Sequence, residues 1–314
     1  MSAFESHREG QTPLVSVGIP TFNRPEGLRR TLECITKQTY LNLEIIVSDN
    51  ASPGDASESV VREFMATDLR IQYFRQRSNI GATQNFQFTL NKAQGKYFLW
   101  AADDDLCEPD FVHLLVSCME EDPQIALAMT DVKVIGDDDA LIRTEKLDSL
   151  RIDRVLANWG KVRRLFFRYP TSNIFFAIYG VYRTNILRSC SLHMKTWRHL
   201  IFATEVPFLA QIAVKGKIVS IPGLLKLYRS HTDSSYIKER SRVRHVDRFI
   251  RGAQIRLQLV NIASSSNLDL QSKFGLIAAN FSSWVEVMAD LGHILLVKLT
   301  RFVLRTHGSR GDHT

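Results

Sequence analysis

Three consecutive aspartates, Asp103, Asp104 and Asp105, follow the apolar string Tyr97-Phe98-Leu99-Trp100-Ala101 and its neighbour Ala102. Carboxylates at adjacent positions repel, and a turn gains nothing structural from a full triplet. A hard divalent cation, Mg²⁺ or Mn²⁺, relieves that repulsion and keeps coordination positions open for phosphate oxygens. The same residues also suit a solvated turn before the next helix, with Asp105 or Asp110 as its N-cap. Three other polar clusters share this setting. Pro20-Thr21-Phe22-Asn23-Arg24 brings a hydroxyl, an amide and a guanidinium to a helix start, good equipment for a diphosphate. Asp49 ends a second apolar string and can accept a hydrogen bond from a base N–H, while Asn50 and Ser52 shape the turn. Asn79 and Gly81, followed by Asn85, open a helix, and Gly81 permits close backbone approach. Read alone, each cluster is also ordinary turn or cap chemistry. Their recurrence at four successive strand ends points to one site.

A βαβ rhythm has to deliver these clusters. Short apolar strands are predicted over residues 14–19, 43–47, 71–74 and 97–101, alternating with helices over 24–38, 57–65 and 83–93. That alternation argues for an α/β fold with a mostly parallel, doubly wound sheet. Such sheets bind ligands outside the C-terminal ends of their strands, where the polar clusters fall. Further on, a strand is expected over 126–134, a charged loop over 136–154 and an apolar, aromatic strand over 175–182. A helix over 204–214, closed by Gly216, leads into a strand at 218–221. Beyond Ser235 the sequence turns basic and helical, with no more strand signals.

The 314 residues, 45% apolar and 23% charged, are enough for a sizeable core. A net charge of +7 invites an anionic partner, with a membrane surface ahead of nucleic acid, which is not expected here. Four cysteines without a C-x-x-C pair argue against a zinc site or a disulfide framework and for a reducing cytoplasm. No signal-peptide layout and no run of 18 uncharged apolar residues is present. The segment from Trp284 onward is dense in apolar residues, with Lys298, Arg301 and Arg305 near its end. It suits an interfacial helix on the cytoplasmic face of an inner membrane, or a helix packed in a homo-oligomer. The expected plan is a disordered start at 1–12 and a catalytic unit over 13–236, with a nucleotide-binding half at 13–115 and an acceptor half at 116–236. A basic helical region at 237–306 and a disordered tail at 307–314 follow.

The strings VSVGIPTFNR, LEIIVSDNAS, SNIGATQNF and YFLWAADDDLCEPDF, in this order and spacing, resemble the nucleotide-sugar glycosyltransferases of family 2 with the GT-A fold. The likeness is strong over residues 14–115, weaker to about 236, and closest in kind to bacterial O-antigen and capsule sugar transferases. It implies that Pro20, Thr21, Asn23, Arg24, Asp49, Asn79, Gly81 and Asn85 surround a nucleotide diphosphate-sugar, with Asp49 on the pyrimidine edge. The family's metal motif usually begins at the position held here by Ala102. That departure implies Asp103 as a ribose or sugar contact, Asp104 as a ligand of the divalent cation, and Asp105 as an alternative or auxiliary ligand. In the second half, Glu205 takes the place of the family's usual catalytic aspartate. Tyr228-Arg229-Ser230-His231 resembles its Tyr-Arg-x-His element, implying Arg229 as a substrate contact and His231 as a metal or diphosphate ligand.

The implied reaction moves a sugar to a hydroxyl of a saccharide or lipid-linked saccharide. One cation and one base on opposite faces of the sugar give a single displacement with inversion. A sugar nucleotidyltransferase would need a Gly-rich signature with a lysine near the first strand, which residues 20–27 lack. A non-catalytic nucleotide-binding module would leave the aspartate triplet without a purpose.

Overall fold

The computed structural model describes residues 12–147, 173–192, 205–230, 245–270 and 272–278. Strand β1 (Val15–Thr21) is buried at all seven positions, as is β2 (Leu43–Asp49). Neither alternates apolar with polar, because helices cover both faces of a parallel sheet. Helix α1 (Pro25–Thr36) starts with proline at its first turn and buries Leu28, Thr31, Leu32 and Ile35 along one stripe. α2 (Ala56–Met65), β3 (Ile71–Arg75), α3 (Ala82–Lys92) and β4 (Tyr97–Trp100) complete the predicted alternation.

The sheet runs β3-β2-β1-β4 in parallel, then changes character. β4 pairs antiparallel with β8 (Val181–Arg183), which pairs antiparallel with β6 (Ile125–Ile135). β6 lies parallel to β9 (Lys217–Arg229), and β9 carries the two-residue strand β5 (Leu106–Cys107). The register decides where the site forms. Thr21 pairs with Asp49, and Asp49 with Arg75, so the ends of β1, β2 and β3 are level. Gly18 pairs with Trp100, which brings the chain leaving β4 to the same edge.

Three sequence expectations need correction. The charged loop over 136–154 contains strand β7 (Leu141–Glu145), paired to β6. Its residues are exposed or half-buried, so no apolar alternation announced it. The expected strand over 175–182 is a 3₁₀ helix (Asn173–Tyr179) followed by the short β8. With three residues per turn, Phe176 and Tyr179 eclipse, which a pattern search reads simply as a continuous apolar run. Finally, β9 extends to Arg229, well past 221, because Lys226 and Arg229 interrupt its apolar pattern.

Cores on both faces hold the sheet. Trp100, fully buried, ties them to the second half: its ring meets Tyr182 at 5.7 Å and Phe208 at 6.2 Å, both edge-on. Phe208 belongs to α6 (Glu205–Ala213), which follows α4 (Phe111–Glu121) and the short α5 (Thr184–Arg188). The aromatic cluster thus seats the helix that starts with Glu205 against the end of β4. The long α7 (His245–Ser265) follows. Among the described residues no helix is long and apolar enough to cross a membrane.

Candidate active site

The loop leaving β4 is drawn onto the end of β1 by side chains of the first βα turn. Thr21 Oγ1 donates to Asp103 Oδ2 at 2.7 Å, and the Phe22 N–H reaches the same oxygen at 3.4 Å. Arg24 pairs with Asp104 and lies 3.6 Å from Asp103 Oδ1. From α1, the Thr31 hydroxyl sits 3.0 Å from the Ala102 carbonyl and 3.1 Å from that of Asp105. Gly27 makes this closeness possible. A Cβ there would run into the Asp103 carbonyl oxygen, so only glycine lets α1 lie against the aspartate loop. Sequence reading missed Gly27 because its conformation is ordinary and its role is purely one of contact.

The three aspartates divide. Asp103 and Asp104 face Arg24, whose side chain is 46% exposed, at the edge of the sheet. Burial, and next the charge of Asp104, push the Asp103 carboxyl up to about 6. Asp105 points the other way and is fully buried. Its Oδ1 accepts the Arg229 N–H at 3.0 Å, and its Oδ2 lies 3.5 Å from Lys226 Nζ. Burial raises its pKa even against the lysine. In this arrangement Asp105 serves a buried ion pair with Lys226, on the side of the loop away from Asp103 and Asp104.

Arg229 is engaged with the protein in the same way. Its guanidinium, 6% exposed, donates to the carbonyls of Asp104 (3.3 Å), Gly136 (2.8 Å) and Asp137 (3.4 Å), and to Asp139 Oδ1 at 2.5 Å. Asp139 also binds Arg30 of α1 at 3.0 Å. Arg229 therefore staples the aspartate loop to the β6–β7 turn, with four of its five N–H donors engaged there.

Asp49 builds its own turn. Its Oδ1 accepts the Ser52 N–H at 2.8 Å and its Oδ2 accepts the Tyr73 hydroxyl at 2.9 Å, with the residue 1% exposed. A nucleobase would reach it only alongside these donors. Asn85, also buried, clamps two strand ends, taking a hydrogen bond from Ser48 Oγ at 2.6 Å and donating to the Ser48 carbonyl at 2.9 Å and the Thr21 carbonyl at 3.5 Å. Asn79 Oδ1 accepts from Asn50 Nδ2 at 3.0 Å and from the Gly81 N–H at 2.9 Å. Asn23 and Gly81 take positive φ values of 55° and 84°, turning the chain sharply at the site's rim. Pro20 is the last but one residue of β1 and fixes the approach to that turn. Phe22 leaves a ring 43% exposed there, a face the sequence reading did not single out.

Glu205 opens α6 and is half-buried. Tyr179 relates it to the aspartates. Loss of hydration pushes its phenol well above the ordinary value, assisted by the charges of Asp105, Tyr228, Asp104 and Glu205, in that order. Lys226 Nζ lies 5.3 Å from the Tyr179 ring centroid, beneath the same cluster. His231 lies outside the described residues.

For a divalent cation the oxygen-only donor set of Asp103 and Asp104 is suitable, and the arginine they share is itself half exposed. Among the described residues no three His, Cys, Asp or Glu side chains form a complete ligand group. Waters and phosphate oxygens would supply the rest of the shell, as is usual for Mg²⁺.

A parallel half-sheet with a polar rim at its strand ends, continued by a mixed half, is the GT-A fold. Residues 16–195 match the model for glycosyl transferase family 2, and the chain belongs to that family. It is 26% identical over 234 residues to an uncharacterized glycosyltransferase of Haemophilus influenzae, covering 73% of this chain and 70% of that protein. Over 94 residues it is 39% identical to the GalNAc(5)-diNAcBac-PP-undecaprenol beta-1,3-glucosyltransferase of Campylobacter jejuni, a match spanning only 30% of each. In fold it is similar to Staphylococcus aureus TarS in complex with UDP-GlcNAc. That match has a TM-score of 0.63 and 15% identity, over 86% of this chain and 72% of that one. It is also similar to the Pyrobaculum calidifontis mannosyltransferase PcManGT in complex with GDP-Man and Mn²⁺, with a TM-score of 0.54 and 15% identity over 94% and 81%.

Proposed function

We propose that this chain transfers a sugar from a nucleotide diphosphate donor to a hydroxyl of a saccharide or lipid-linked saccharide acceptor, with inversion, in bacterial surface polysaccharide synthesis. The observation that carries this reading is the convergence of Thr21, Arg24, Asp103 and Asp104 at the ends of β1 and β4. In a family 2 chain this is where a sugar nucleotide is held.

Phe22 offers a ring face for the base, and Arg24 a guanidinium for phosphate oxygens once it leaves the aspartates. Asp104, with Asp103, would hold a Mn²⁺ or Mg²⁺ ion. The ion neutralises charge that grows on the departing diphosphate. Glu205 would take the proton of the acceptor hydroxyl as it attacks the anomeric carbon. Arg229 and Thr31 act at one remove, holding the loop that presents Asp103 and Asp104.

Calorimetry of the full chain with UDP, GDP, CDP and TDP, with Mn²⁺ and with EDTA, tests the reading. One nucleotide is expected to bind well only with the ion, since two carboxylates would otherwise repel its phosphates. Equal affinity in EDTA would remove the metal assignment. The basic C-terminal segment is proposed to rest on anionic lipid, each cation contributing about 1 kcal/mol. Full-length protein that ignores anionic vesicles at low salt would turn that segment into a packing or oligomer element.

A further inference from the structure

Behind the aspartate loop, on the side away from Arg24, two cysteines face each other. Cys34 of α1 and Cys107 of β5 bring their sulfurs to 3.4 Å across 73 residues of chain. Gln38 holds the second of them. Its amide nitrogen lies 3.3 Å from Cys107 Sγ and donates to the Glu108 carbonyl at 2.8 Å, and its amide oxygen accepts the Val112 N–H at 3.0 Å. The pair is not sealed in the core. Cys34 is half-buried, and both cysteines line a cavity of about 450 Å³ shared with Arg30, Glu33, Lys37, Leu106, Pro109 and Asp139. The other two described cysteines, Cys118 and Cys190, do not line this cavity.

We propose that Cys34 and Cys107 form an oxidisable dithiol site, which hydroperoxides convert to an intramolecular disulfide. Two features favour the pair over simple apolar packing. The sulfurs have to close only from 3.4 Å to the roughly 2.05 Å of an S–S bond, with side-chain rotation available to the half-buried Cys34. The cavity admits a small oxidant to the half-buried Cys34. The hydrogen-bonding contact with Cys107 and, more weakly, the charge of Lys226 lower the Cys34 thiol from its ordinary value.

The chemistry balances without a cofactor. The Cys34 thiolate attacks one oxygen of the hydroperoxide, forming an S–O bond as the O–O bond breaks; the leaving oxygen departs as water or alcohol. The resulting sulfenic acid is attacked by the Cys107 sulfur, whose thiol proton leaves with the hydroxyl as water. Two thiols lose two electrons and the hydroperoxide gains them. The new bond would tie α1 to β5, and thus both flanks of the loop held by Thr31 and Gly27.

The test uses the full-length chain and mass spectrometry, and its readout does not depend on transferase activity. After brief exposure to hydrogen peroxide, two of the four free thiols are expected to disappear together. Trypsin then chymotrypsin, which cuts at Phe111 and so separates Cys107 from Cys118, should yield a Cys34–Cys107 linked peptide that dithiothreitol removes. The Cys34→Ser chain, checked for an unchanged circular dichroism spectrum, should lose the linked peptide and keep Cys107 reduced. A folded wild-type chain that gives no such peptide would overturn the proposal, whether Cys34 stays reduced or runs on to sulfinic acid.

Discussion

The half of the sheet made of β3, β2, β1 and β4 and the half made of β8, β6, β9 and β5 use their charged residues in opposite ways. At the rim of the first, Arg24 is about half exposed and its pairing with Asp103 and Asp104 is open to exchange for a ligand. In the second, Lys226 and Arg229 are almost fully buried and serve Asp105, Asp139 and backbone carbonyls. Neighbouring aspartates fall on either side of this division, Asp104 outward and Asp105 inward. The difference teaches that charge in a site is not all of one kind. Exposed pairs contribute little to stability and are free to change partners. Buried pairs gain no stability over apolar packing, yet losing one partner leaves an uncompensated charge.

The largest expected effect lies where the second half reaches into the first. Glu205→Gln preserves size and hydrogen bonding but cannot accept a proton, so turnover should fall about 10²–10⁴-fold with donor affinity nearly unchanged. Near-normal turnover in a folded Gln variant would move the search to another carboxylate near the acceptor. Asp105→Ala should break the buried cluster instead, costing about 3–5 kcal/mol in urea denaturation because Lys226 is left unpaired. A loss under 1 kcal/mol would show that the second half is not built on that pair.

Asp49→Ala sharpens the comparison within the first half. Reading the sequence alone, removing this residue should weaken nucleotide binding and leave the fold intact. With the Ser52 N–H and Tyr73 hydroxyl both relying on it, about 1–3 kcal/mol of stability should go as well. Unchanged stability would return Asp49 to the ligand side of the division. The smallest stability effect is expected for Arg24→Ala, within about 1 kcal/mol, since its own guanidinium is about half exposed. Its nucleotide affinity should nevertheless drop roughly tenfold or more, as charge-assisted hydrogen bonds to phosphate are lost. If stability fell as far as for Asp105→Ala, the two halves would not differ as described.

What the sequence by itself determined was the first half and its rim. Apolar runs such as residues 43–47, ended by turn formers, dictate buried parallel strands. Parallel strands joined by helices must present their C-terminal ends on one edge, so Thr21, Asn23, Asp49 and Asp103 were bound to gather. Only the tertiary structure decided which way each side chain faced. Asp103, Asp104 and Asp105 are identical in sequence terms, and what separates them is contact with residues more than 120 positions away, Lys226 and the Arg229 N–H. Arg229 itself carried the signature of a ligand contact, and nothing local shows that carbonyls at Gly136 and Asp137 would take its donors. Gly27 and Cys34 were silent for the same reason. Their meaning lies in the few ångströms separating α1 from the loop and strand beyond it, a distance set by packing rather than by any pattern along the chain.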